Sequence, residues 1–290
     1  MRLKKTKEFV IEFLIHTSGA LIIGFVVLIF LFLLKDSLSL FRTYSLKNFF
    51  FGKNWLPISE PSQFGIIPLV IGSLYVTLVA ILICVPTGIA VAMFIAEVAP
   101  SYLRIILKSL VEILASIPSV VLGFIGIVWL GPFLKNALGL STGMCGLTGS
   151  LLLAFMALPT IISISEDALV SVPRSYKEAA FGLGATRWQT LWRIVLPSAS
   201  SGIIAAIMLG IGRVIGETMV VMMVTGNSPV IPRSIFQPLR TLTATVAGEM
   251  GETVSGSEHY FALFAVGLVL FIITFIINFL ADLSLQRGKQ

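Results

Sequence analysis

Apolar residues run along this chain in six long blocks, at about 13–34, 66–96, 108–130, 148–168, 198–225 and 260–282, separated by polar or proline-rich segments. A helix needs about 20 such residues to cross a bilayer. The pattern therefore predicts an all-α protein with six transmembrane helices. The second block is long enough to tilt or bend, and Pro86 with Gly88 marks the expected bend. An even number of spans places both termini on one side. The basic start, MRLKKTK, resembles a secretory signal, but residues 17–34 carry no charge and no small-x-small cleavage site follows. This block is expected to be an uncleaved spanning helix.

Composition agrees. Hydrophobic residues make up 57% of the 290 and charged residues 12%, against a usual charged fraction of about a quarter. Mean hydropathy is +1.00. A soluble domain needs a polar shell that this chain cannot supply, and disorder, collagen and a disulfide scaffold are excluded by the same figures. Cys84 and Cys145 lie far apart with no CxxC pattern, so they read as small packed hydrophobes. His16 and His259 stand alone, and no metal constellation forms around either.

The net charge of +6 orients the chain. With a cytoplasmic N-terminus, the inner set is Arg2, Lys4, Lys5, Lys7, Arg104, Lys108, Arg174, Lys177, Arg187, Arg193, Arg287 and Lys289, twelve residues. The outer set is Lys35, Arg42, Lys47, Lys53, Lys135, Arg233 and Arg240, seven residues. The bias puts both termini in the cytoplasm. No basic patch with interleaved aromatics points to nucleic acid. No internal repeat is visible, so residues 1–290 read as one membrane domain. Its outer loops fall at about 35–65 and 226–259, and its long cytoplasmic loop at about 169–197. Glu249, Glu252 and Glu258 read as a solvated acidic face; Glu166 and Asp167, ending the fourth block, should meet the loop or solvent; Glu112 reads as an interfacial carboxylate.

The cytoplasmic loop is the most specific segment. VPRSYKEAAFGLGATRWQTLWRIVLP, at 172–197, holds two capping boxes, Ser175-x-x-Glu178 and Thr186-x-x-Gln189, with Gly184 between them as a helix stop. It should fold as helix, glycine turn, helix, presenting Trp188, Leu191 and Trp192 as a docking surface. The segment resembles the EAA loop of ABC importer permeases: E-A-A, three residues, G, nine residues, I-x-L-P. The matching positions are Glu178, Ala179, Ala180, Gly184, Ile194, Leu196 and Pro197. The resemblance implies the type I importer permease fold and a coupling helix that docks on a cytoplasmic ATPase. No G-x-x-x-x-G-K-[ST] phosphate loop occurs in the chain, so ATP and Mg are expected on a separate ATPase, with no cofactor in this chain.

Arg213 and Glu217 fall near the middle of the fifth block. A charge at bilayer centre costs about 2.5–3.5 kcal/mol on insertion scales, so the pair should face the bundle interior or a water-filled path. Four residues apart on one helix, they are expected to pair, with Gly212-x-x-x-Gly216 admitting another backbone closely. A guanidinium suits a tetrahedral oxyanion, which makes Arg213 and Glu217 the candidate substrate-pathway residues; an ion pair that only fixes packing is the alternative. H-E-x-x-H and G-x-S-x-G are absent, against a membrane-embedded enzyme.

Further stretches narrow the resemblance. IPSVVLGFIG (117–126), IAAIMLGIGRVIGETM (204–219), TLTATVAGEMGE (241–252) and HYFALFAVGLVLFIITFIIN (259–278) look like the C-type permease family of phosphate-specific ABC importers. That resemblance implies an A-type permease partner, two ATPase copies, an extracytoplasmic phosphate-binding protein, and phosphate as cargo. Permeases for sulfate, molybdate or phosphonate, or a stand-alone secondary transporter, are the alternatives.

Overall fold

The computed structural model describes residues 2–287, with side chains described for 11–280 and 283. The inner-set residues Arg2, Lys4, Lys5, Lys7, Arg287 and Lys289 fall outside the described side chains. The first apolar block is the end-to-end helix α1 (Arg2–Leu40), of which Ile11–Leu40 is long and apolar enough to span. The first outer loop is structured, not bare. It forms a short helix α2 (Leu46–Phe51) and a hairpin of β1 (Trp55–Leu56) and β2 (Gln63–Phe64), with Trp55 opposite Phe64. Leu40, Phe49, Trp55 and Phe64 are buried together, a cluster of aromatic and aliphatic area that anchors the loop on the bundle.

The second block forms α3 (Ile67–Met93) and continues through a π-helical turn at Phe94–Val98. The helix runs on through Pro86 without a break, and the Thr87 hydroxyl donates to the Ile83 carbonyl at 2.6 Å beside the missing proline N–H. The departure from α geometry comes instead at the π turn, just before Pro100.

The third block is not one helix. It splits into α4 (Ser101–Ala115) and α5 (Ser119–Ile125), followed by a π turn at Gly126–Leu130 and α6 (Gly131–Leu138). Pro118 explains the break, because proline lacks an N–H and disfavours helix at the residue before it, Ile117. Helix α4 packs Val111 against Ile95 and Ile162, whereas α5 packs Leu122 near Leu152 and Met156.

Ile162, Leu152 and Met156 belong to α7 (Gly146–Val170), the central helix. Its most apolar stretch is 61% buried, against 28% for that of Ile67–Val98 and none for that of Ile11–Leu40. Small residues let neighbours close on it: Ala154 and Ala157 pack with Val76, Ala80 and Cys84 of α3. Cys84 and Cys145 are both free and buried. Near the end of α7, Glu166 is buried rather than facing the loop or solvent, and Lys108 Nζ reaches it at 2.7 Å. Lys108 also binds Asp167 at 2.9 Å; Asp167 is exposed to solvent as expected, so only the expectation for Glu166 is corrected.

The remaining chain forms α8 (Arg174–Gly182), α9 (Arg187–Thr190), a π turn at Leu191–Val195 and α10 (Leu196–Ser198). It then bends by 69° into α11 (Ser200–Gly216). Next come α12 (Met219–Val224), α13 (Leu242–Glu249) and α14 (Glu258–Arg287). Among the described residues five helices are long and apolar enough to span, six with the bent pair counted as one. The fifth block is broken at Glu217 and Thr218, where the expectation was a continuous span.

Candidate functional site: the coupling loop and the broken fifth span

The cytoplasmic loop folds as helix, turn, helix. Helix α8 ends at Gly182 with Leu183 as its C-cap, and Gly184 takes φ +82°, a left-handed conformation that favours glycine. Its amide donates to the Phe181 carbonyl at 2.9 Å, and Ala185 N to the Ala180 carbonyl at 3.0 Å, so the helix end is closed by its own backbone. One of the two capping boxes forms. Thr186 Oγ1 accepts from Gln189 N at 3.2 Å, and Gln189 Oε1 accepts from Thr186 N at 2.9 Å. The other does not: Pro173 occupies the N-cap position of α8, so Ser175 already lies inside the helix and makes no cap.

Of the EAA positions, Ala180 is buried, while Glu178, Ala179, Gly184 and Pro197 are exposed and Ile194 and Leu196 half-buried. Trp188 and Trp192 stand exposed, ring centroids 5.6 Å apart and edge-on. Leu191, expected beside them, turns inward to pack with Leu169, Val172 and Val195. The exposed surface is therefore an indole pair flanked by Arg187 and Arg193, with Leu183 at the turn 90% exposed.

In the fifth block Arg213 sits in the last turn of α11, 13 residues and so about 20 Å along the axis from Ser200. It shares an exposed stripe with Leu209 and Gly216. Glu217 leaves the helix with φ −71° and ψ 130°. Its carboxylate turns away to accept from Met219 N at 3.1 Å and Val220 N at 3.3 Å, capping α12. The expected Arg213–Glu217 pair does not form, because the helix that would place them on one face ends between them. No ion-pair partner of Arg213 is present among the described residues. The close-approach glycine is also a different one. A methyl at Gly210 would come within 2.7 Å of Ile161, whereas Gly212 meets only Asn278 Oδ1 at 3.8 Å and Gly216 meets nothing within 4 Å.

The break is tied to the outer loop. Helix α13 re-enters the bundle, and Thr243 Oγ1 donates to the Glu217 carbonyl at 2.9 Å. At the far end of α13, Glu249 is no solvated carboxylate. It accepts from Trp55 Nε1 at 3.0 Å, pairs with Arg240, and meets His259 Nε2 at 2.8 Å. His259 is thus not isolated. These residues line an outer cavity of about 530 Å³ that also reaches Met222 of α12.

The expected residues thus occupy two places, the coupling loop at one end of the bundle and Arg213 with Glu217 at the break. Sequence reasoning missed the Lys108, Lys177–Glu97 and Glu249 contacts. They join residues 58, 80 and 194 positions apart, and no local spacing signals them.

Residues 85–290 match the family model of the binding-protein-dependent transport system inner membrane component. The chain belongs to that family. As an inner membrane component it is a multi-pass protein of the cell membrane. It is 41% identical over 236 residues to a probable ABC transporter permease protein, YqgH, of Bacillus subtilis, covering 81% of this chain and 76% of that one. It is 38% identical over 259 residues to the phosphate transport system permease protein PstC of Mesorhizobium japonicum, covering 83% and 78%. The fold is that of ABC importer permeases. A chain of the MetNI methionine transporter in an inward-facing form superposes with a TM-score of 0.61 at 22% identity, over 80% of this chain and all of the other. A chain of the bacterial alginate transporter with its periplasmic protein does so at 0.61 and 18%, over 92% and 93%.

Proposed function

We propose that this inner membrane component is one of two permease subunits of an ATP-driven phosphate importer. The single observation that carries the ATP-driven part is the coupling loop: a rigid, glycine-turned pair of short helices projecting an exposed indole pair at one end of the bundle. A lever must be stiff to transmit force, and the Gly184 turn and the Thr186–Gln189 box supply that stiffness. The phosphate part rests on likeness to proteins named PstC, such as that of Mesorhizobium japonicum.

On this reading residues 1–290 form one transmembrane unit with both termini in the cytoplasm. An A-type permease supplies the other half of the path, two ATPase copies bind ATP and Mg and engage Glu178 to Pro197, and an extracytoplasmic phosphate-binding protein delivers the anion. Arg213, exposed on α11 and without an ion-pair partner among the described residues, offers a guanidinium fork to an oxyanion moving along the subunit interface. Glu217 shapes the path by breaking the helix rather than by neutralising Arg213. Closure of the ATPase dimer moves the coupling helices, and the broken fifth span supplies the point of bending.

The test is uptake of radiolabelled phosphate into liposomes holding the assembled complex, with and without ATP, in competition with sulfate. ATP-dependent uptake that excess sulfate leaves intact supports the reading. Equal competition by sulfate overturns the phosphate assignment, and uptake by this chain without any ATPase overturns the importer.

A further inference from the structure

The π turn at Phe94–Val98 ends the second span, and three elements converge on it. A helix that stops there leaves its last carbonyls without intrahelical partners. Arg104 of α4 fills two of them: Nε donates to the Ile95 carbonyl at 2.9 Å and an Nη donates to that of Ala96. Ala96 packs in one cluster with Leu169 of α7, Val172 just beyond it, and Leu191 and Val195 of the π turn after α9. Glu97, on the same turn, projects its carboxylate to Lys177 of α8 at 2.5 Å. Both side chains are mostly enclosed, 18% and 22% exposed.

Lys177 directly precedes the E-A-A triplet. Its ammonium is the only charged contact from α8 to a spanning segment among the described residues. Beside it opens a cleft of about 430 Å³ between the π turn and α9, lined by Val98, Phe181, Arg187, Trp188 and Leu191. Glu97 and Lys177 form part of the wall of this cleft, so that the ion pair joins the first coupling helix to the second span at its edge. Single π turns inside or at the end of α-helices also recur where helices do functional work.

We infer that Glu97 and Lys177 form the strut through which movement of the coupling loop is passed to the second span. They are positioning residues: neither faces Arg213 or the outer cavity. This rests on the importer reading and adds a route within it. An apolar contact alone lets α8 slide over α3, because dispersion is non-directional. A short, enclosed ion pair holds direction as well as distance. Arg104 contributes by fixing the backbone that carries Glu97, so that the carboxylate moves with the helix.

The experiment uses the whole complex in liposomes and measures uptake per ATP hydrolysed for Lys177→Met, Glu97→Gln, Lys177→Arg, and the swapped pair Glu97→Lys with Lys177→Glu. The wild-type complex, measured alongside, tests the importer reading separately through its ATP-dependent uptake. The two charge-removing variants should lose at least about fivefold in uptake per ATP, with the ATPase still co-purifying. Lys177→Arg and the swapped pair should restore most of it. An unchanged ratio in the charge-removing variants overturns the inference. So does a loss that comes with release of the ATPase, or one that neither restoring variant repairs.

Discussion

The Thr243 hydroxyl donates to the backbone carbonyl of Glu217 at 2.9 Å, across 26 residues of chain. This bond gives the helix break a fixed partner. A carbonyl freed where α11 stops would otherwise face an apolar bundle without a donor, and such groups are expensive to leave unmade. The re-entrant α13 and the broken fifth span therefore stabilise one another.

Thr243→Val keeps the side-chain shape and removes the donor. Loss of such a bond with its acceptor still enclosed costs about 1–3 kcal/mol. The purified complex should melt several degrees lower in detergent, and Glu217→Ala, which uncaps α12, should add to that loss. An unchanged melting temperature in Thr243→Val would show that the bond is dispensable.

Arg213→Ala should reduce phosphate uptake by at least about tenfold, the scale of one charge-assisted contact of roughly 1.5–3 kcal/mol, while the ATPase still co-purifies. Because Arg213 has no ion-pair partner among the described residues, its removal orphans no buried acid. Arg213→Lys should retain part of the uptake, since the charge remains but the fork does not. Normal transport in Arg213→Ala would remove it from the path.

How far this was legible follows from range. The helices and the coupling loop were written locally, in apolar length, in a glycine that takes φ +82°, and in a Thr–Gln pair three residues apart. The spacing of four between Arg213 and Glu217 suggests a pair only if the helix is continuous, and the spacing itself does not announce that α11 stops at Gly216. The stop is held by the Glu217 carboxylate on Met219 N and Val220 N and by a contact from Thr243 of α13, 26 residues onward. Pro118 broke the third block as proline chemistry dictates, whereas Pro86 was absorbed within α3. The Glu249 cluster joins Trp55 to residues nearly 200 positions later, beyond any motif.

Gly184→Val should uncouple ATP hydrolysis from transport. No atom lies within 4 Å of the space a Cβ would fill, so the penalty is one of backbone conformation alone, about 1–2 kcal/mol. Gly184→Asn, which tolerates the left-handed region, should be milder. Uptake measured against ATPase rate orders the three proteins; equal coupling in all would dismiss the turn as a determinant.

Thr186→Ala and Ser175→Ala form a matched pair. The first removes a working cap and should cost about 1 kcal/mol of local stability. The second removes a hydroxyl that makes no cap and should be silent. Hydrogen exchange at Gln189 and its neighbours reads the difference, and protection lost equally in both would contradict the assigned geometry.

Glu249→Ala should loosen the outer surface. It leaves Trp55, Arg240 and His259 without their shared acceptor, and these come from the hairpin, the loop and the start of α14. Protease sensitivity within 226–257 should rise while the coupling loop is unaffected. Unaltered cleavage would mean that the aromatic cluster around Phe49 and Phe64 suffices alone.

None of the most apolar stretch of α1 is buried within this chain, whereas Ser37 and Leu40 at its end are fully enclosed. The helix is thus specified by thickness over its earlier part and by fit from Phe30 onward, where Phe30 and Phe32 meet Phe271 and Phe264 of α14. That earlier part behaves as an interchangeable one: provided that the chain from Phe30 onward is kept, an unrelated apolar segment of equal length could replace residues 11–29 and leave the bundle standing. Sequence drift should gather there, and the match to the family model, which begins at residue 85, leaves the whole of α1 outside it.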